Sequence, residues 1–238
     1  MVGLVLGVAI GPVFAANAPQ SAASEHAHPD YTDSATAAPV ILAPGYADLA
    51  FVPPDPGSYA LPALGEAANG PVVDTQGRPR ELYEYLGDKI TVLSFIFTRC
   101  SDVNGCPLAS FVLKGVQDRL LELPELRDQV RLISFSFDPD YDSPAVLAEY
   151  GGRFVTDHFD WQFLSCANAT DLAGVLRDYD QWVIVDYDDD GRPLGTMSHL
   201  LRVYLIDRDR RIRNIYSVSF LHADTLANDI RTLLAEAG

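Results

Sequence analysis

The sequence predicts an α/β domain with a central mixed sheet flanked by helices, closed by a C-terminal β-hairpin and helix. Three observations carry that expectation. Thr91–Phe97 (TVLSFIF) is a continuous β-prone apolar run, the pattern of a strand covered on both faces. A helix-spaced segment and a second such run follow it, and two strands joined by a crossover of that length lie parallel. Further on, the apolar runs Leu200–Ile206 and Ile212–Val218 flank the charged stretch Asp207–Arg211, which signals an antiparallel hairpin.

The elements follow in order. Met1–Ala16 is apolar and without a charge, and it is shorter than the roughly 20 residues a membrane span needs. Ala16 and Ala18 fit an A-x-A cleavage site, and Val13 with Ala15 offers a second, so residues 1–18 read as a signal-like segment. The expected location is therefore outside the cytoplasm, in the periplasm, with the N-terminus either cleaved or kept as an anchor. Residues 19–55 read as a flexible linker rich in Ala, Pro, Ser, Thr and Asp. His26 and His28 lie inside it; their spacing suits a metal, but a solvated tail accounts for them more simply.

The folded domain is expected over 56–238. After the Thr91–Phe97 strand, Pro107 suits a first helical turn, and Leu108, Phe111, Val112, Val116 and Leu120 repeat at helical spacing. Val130–Phe137 is the next strand, a helix starts at Pro144 and runs to about Phe154, and Trp161–Ser165 is a shorter strand. A helix is expected from Thr170 to about Arg177, then Trp182–Tyr187 and an acidic hairpin tip at Asp188–Gly191. The last helix runs from about Ala223 to Ala235, with Leu226, Ile230, Leu233 and Leu234 on one side.

Composition narrows the function classes. With 238 residues and 48% hydrophobic content the chain can bury a full core. Seventeen Lys and Arg against 33 Asp and Glu give a net charge of −16, which repels phosphate backbones, so nucleic acid is excluded as a natural partner. A metal ion, a cationic ligand or a basic protein patch suits such a surface better. Neither a Gly-rich phosphate loop nor a serine nucleophile elbow is found.

Chemistry concentrates in Thr98–Pro107 (TRCSDVNGCP), which holds two of the three cysteines. Cys100 and Cys106 lie between the end of a central strand and the first turn of a helix, where α/β sheets commonly build sites. Cys106 beside the helix N-terminus is expected to favour the thiolate. A thiolate pair can cycle with a disulfide or select copper(I), since both partners are soft. A structural disulfide is the plain alternative, but it would close only a short loop in a chain large enough to fold on its core.

In these residues the sequence resembles the SCO/SenC proteins, thioredoxin-fold copper chaperones of cytochrome oxidase assembly. The resemblance covers roughly Gly57 to the C-terminus. It lies in Gly57–Pro62 (GSYALP), the FIFTRC strand running into the loop that ends at Cys106-Pro107, Phe135–Pro139 (FSFDP) with Asp142-Ser143-Pro144, and His199 leading into Val203–Asp207 (VYLID). It implies a thioredoxin-like fold, copper as the bound metal, and Cys100, Cys106 and His199 as its ligands. It also implies an acceptor, the copper-site subunit of cytochrome c oxidase or another exported copper protein. Members usually carry three residues between the cysteines; this chain has five, Ser101 through Gly105.

On residues alone His199 reads as a packed histidine and Met197 and the buried-type Cys166 as packing, while Asp138 and Asp142 either cap the Pro144 helix, the more economical account, or shape the loop near the site. Asp188–Asp190 lacks the six to eight oxygens that calcium takes. A thiol-disulfide oxidoreductase using Cys100 and Cys106 as its redox pair is the alternative to the chaperone, although the loop lacks the C-x-x-C spacing of such enzymes. A peroxidase served by Arg99 and Thr98 ranks last, since it leaves the second cysteine and His199 unexplained.

Overall fold

The computed structural model describes residues 39–156 and 158–236, so the signal-like segment and the His26–His28 pair lie outside the described residues. The core is an eight-stranded mixed sheet. In chain order its strands are β1 (Gly65–Glu66), β2 (Pro71–Asp74), β3 (Pro79–Glu81), β4 (Ile90–Ile96), β5 (Val130–Ser136), β6 (Trp161–Ser165), then β9 (Val203–Ile206) and β10 (Arg211–Tyr216). A separate two-stranded sheet is formed by β7 (Val183–Tyr187) and β8 (Pro193–His199). The helices are α1 (Cys106–Leu121), α2 (Pro124–Arg127), α3 (Pro144–Gly151), α4 (Ala169–Asp178) and α5 (Ala223–Glu236).

Spatially the large sheet runs β1-β10-β9-β4-β5-β6-β2-β3. β4 pairs parallel with β5 from Ile90 opposite Val130 to Ile96 opposite Ser136, and β5 pairs parallel with β6. On its other side β4 pairs antiparallel with β9, and β9 with β10, the expected C-terminal hairpin. All seven residues of β4 are buried, as a run without polar alternation requires. Phe95 anchors the centre: its ring lies 5.2 Å from Phe135, 5.5 Å from Tyr179 and 6.0 Å from Tyr204. The Tyr204 hydroxyl is satisfied by donating to the Tyr179 carbonyl at 2.5 Å while accepting from Gln181 at 2.9 Å.

Three features differ from the sequence reading. β8 is a strand the apolar pattern does not announce, because five of its first six residues are exposed and nothing selects a buried face. Residues 40–55, read as the end of a linker, lie on the domain. A 3-10 turn at Pro44–Tyr46 buries Gly45 and Ala43, and Asn228 donates to the Pro54 carbonyl at 2.9 Å. Side-chain hydrogen bonds from residues distant in sequence hold this stretch, and local periodicity cannot register them. The third concerns Asp138 and Asp142. The side chain that caps α3 is Ser143, which accepts from Val146. Asp142 accepts instead from the Thr98 amide at 3.0 Å, from the Thr98 hydroxyl and from Ser136 at 2.5 Å. Asp138 takes the Arg99 guanidinium at 2.7 Å. Both carboxylates therefore brace the segment that leaves β4 for the cysteines.

Candidate metal centre

β4 delivers the chain to Phe97, and the loop 98–105 returns it to α1 with Cys106 in the first turn. Pro107 fits there because the first helical residues need no amide partner. Gly105 precedes the helix, and an added Cβ there would stand 3.3 Å from the Cys100 sulfur, so the missing side chain gives that thiol its room. Cys106 is 1% exposed, and its sulfur accepts the Phe97 amide at 3.4 Å. Cys100 is half-buried, and no disulfide joins the two.

His199, the last residue of β8, reaches the same point from the hairpin. Its Nε2 is 3.5 Å from the Cys106 sulfur, and one ligand atom from each of Cys100, Cys106 and His199 lies within 4.8 Å of the others. Bonds of about 2.0–2.3 Å set trigonal donors roughly 3.5–4 Å apart, so about 1 Å of closure completes such a site. The imidazole is held by aromatic rings, 4.8 Å from Phe137 and 6.2 Å from Phe97. Its Nδ1 is buried and has no hydrogen-bond partner among the described residues. An unpaired buried nitrogen costs about 1–3 kcal/mol, a cost characteristic of functional positions.

The two thiols are pushed apart in acidity. The hydrogen bond from Cys106 holds the Cys100 thiol far below the ordinary thiol range against its own burial, and His199 helps. Cys106 is driven the other way by the Cys100 sulfur and by burial. The pair thus keeps one proton near neutrality, with the negative charge on Cys100. That reverses the expectation that the helix N-terminus makes Cys106 the thiolate: desolvation and a neighbouring anion outweigh the dipole here.

Two cavities of about 330 Å³ each flank the sulfurs. One is aromatic, with Phe97, Phe111, Tyr150 and Phe154 around both cysteines. The other reaches Asp102, Asp186, Met197 and His199; in it Asp186 accepts from Thr196 and Ser198, both at 2.8 Å. Arg99 and Thr98 are engaged by Asp138 and Asp142, and Arg99 also stacks 4.1 Å above Tyr141, which leaves neither directed at a sulfur as a peroxidase would use it. Cys166 is buried and gives its thiol to the Pro71 carbonyl at 3.3 Å, and burial raises it to about 12. Asp188 closes its own turn by accepting from the Asp190 and Arg192 amides.

The model of the family described as SCO1/SenC matches residues 70–235. The chain belongs to the SCO1/SenC family. A SCO1 protein homolog of Bacillus subtilis (strain 168) is 24% identical over 151 residues, 63% of this chain and 73% of the relative. The structure of Bradyrhizobium japonicum ScoI with copper bound superposes with a TM-score of 0.58 at 26% identity, over 71% of this chain and 99% of that one. A SCO1/SenC family lipoprotein from Bacillus anthracis str. Ames gives a TM-score of 0.60 at 25% identity, over 74% and 99%. The SCO1/SenC chain therefore has the thioredoxin-like fold that its sequence motifs imply. No helix among the described residues is long and apolar enough to cross a membrane.

Proposed function

We propose that this SCO1/SenC protein is an exported copper chaperone in which Cys100, Cys106 and His199 hold copper(I) and release it by ligand exchange to the copper-site subunit of cytochrome c oxidase. The observation that carries the reading is the convergence of two sulfurs and one imidazole nitrogen within 4.8 Å. Two soft thiolates and one nitrogen suit copper(I) over harder ions, and the half-exposed Cys100 offers an edge for an incoming donor. Copper bound to a family relative, the signal-like N-terminus and a lipoprotein relative support the cargo and a periplasmic, membrane-associated setting. In titrations of the reduced protein with copper(I) against a competing chelator, one ion per chain is expected, with binding lost in Cys100→Ser. Absence of stoichiometric binding in the parent protein overturns the reading.

A second reading rests on the split acidity of the two thiols. As an oxidoreductase, the Cys100 thiolate would attack a partner disulfide and expel one partner thiolate. Cys106, after giving up its proton, would then attack the Cys100 sulfur and release the other, leaving the partner reduced and Cys100–Cys106 oxidised. A Cys106→Ser protein that accumulates a mixed disulfide with an oxidase-derived peptide in metal-free buffer would favour it.

A further inference from the structure

The five residues between the cysteines do something that a metal site alone does not require. Asn104 accepts from the Ala43 amide through Oδ1 at 2.7 Å and donates to the Ile41 carbonyl through Nδ2 at 2.9 Å. One side-chain amide thus pairs with backbone groups of a segment about sixty residues earlier, much as a neighbouring strand would. The Tyr46 hydroxyl donates to the Val103 carbonyl at 2.5 Å, and its ring packs 4.9 Å from Phe111 on α1. Gly45 lies where an added Cβ would come within 2.2 Å of the Leu221 carbonyl oxygen, so residues 41–46 are wedged against the segment leading into α5.

On its inner side the same loop is tied to the thiol. The Asn104 backbone amide donates to the Asp102 carboxylate at 3.0 Å and the Gly105 amide to the Asp102 carbonyl at 2.9 Å, and the Cys100 sulfur lies within the same turn, 3.9 Å from that carbonyl oxygen and 3.3 Å from where a Cβ on Gly105 would stand. A continuous line of contacts therefore runs from residues 41–46, through Val103, Asn104 and Asp102, to the Cys100 sulfur. We propose that residues 41–46 are a strap that positions the Cys100 thiol and that Asn104 is its latch, a positioning residue supplied by the lengthened loop. This deepens the copper reading in that the positioned group is a proposed ligand, while the latch itself stands on metal-free geometry.

The test uses the full chain, reduced, as Asn104→Ala, Tyr46→Phe and the double variant, with Asn228→Ala as a control that frees the Pro54 carbonyl far along the same segment. Releasing the latch is expected to lower copper(I) affinity by about three- to tenfold. It is also expected to speed alkylation of Cys100 severalfold in metal-free protein, with the modified residue assigned by peptide mass. Because both bonds serve one strap, the two losses combine less than additively. Asn228→Ala lowers the melting temperature while leaving Cys100 alkylation at the parent rate. Parent-like affinity and alkylation in Asn104→Ala, strictly additive losses, or faster alkylation in Asn228→Ala as well would each overturn the proposal. If the parent protein binds no copper, the chaperone reading falls separately and the alkylation rates alone decide the strap.

Discussion

The two halves of the site are built differently. Both cysteines grow out of the junction between β4 and α1, where every strand residue is buried and β4 is paired on both edges. His199 sits on the β7–β8 hairpin, which pairs only with itself and leaves Ile184 65% and Leu194 59% exposed. A two-stranded ribbon alone is marginal in water. This one is tethered near its base by the Asp180–Arg202 ion pair and by the rings of Phe137 and Phe97 against His199. In the proposed copper site this contrast would separate affinity from exchange, with a firmly set thiolate pair as the grip and a third donor carried on a lighter element.

The largest effect expected is on the rigid half. Phe95→Ala empties the centre shared with Phe135, Tyr179 and Tyr204, and about 3–5 kcal/mol of folding stability should disappear in denaturant titrations. A loss below about 1 kcal/mol would mean that the β4 platform is no firmer than the hairpin. His199→Ala tests the other half. Two thiolates still hold copper(I), so affinity should fall roughly 10- to 100-fold, with one ion per chain retained and the melting temperature close to the parent's. Complete loss of binding would place the imidazole on an equal footing with the thiolates.

The sequence made the rigid half far more legible than the light one. TVLSFIF is apolar at nearly every position, so its strand, its central place and the cysteines at its end could be read from pattern alone. β8 carries no such pattern, and His199 was distinguishable from a packed histidine only through the family resemblance. Asn104 and Asp142 were harder still. Their partners lie 61 and 44 residues away, and an Asn-Gly pair or an Asp before a Ser-Pro looks the same whether it makes a turn or braces a site.

Acidity gives a finer probe of the cysteine half. Since Cys100 lies well below an ordinary thiol, its alkylation rate in metal-free reduced protein should stay nearly flat from pH 8 down to pH 6. A thiol with a pKa of about 8.5 would lose roughly 80-fold over that interval. In stability the sign is set likewise. The Cys100 contribution is complete above the unfolded thiol value and fades as pH falls toward its folded value. Cys106, raised in the folded state, contributes fully below the unfolded value and less above it. A rate that tracks an ordinary thiol would show that the pair does not share its proton in this way.

The smallest expected effect lies on the hairpin. Ile184 is 65% exposed on a ribbon whose strands pair only with each other, so Ile184→Ser should change global stability by about 0.5 kcal/mol or less. Copper(I) affinity should also stay near the parent value, because Ile184 pairs with Ser198 across the ribbon and His199 is held by rings belonging to the main domain. A drop of several kcal/mol would mean that the exposed face of the ribbon is itself part of the folded core. The division into a firm thiolate platform and a lightly held imidazole would then give way to a single rigid site, with release left to the acceptor's own ligands.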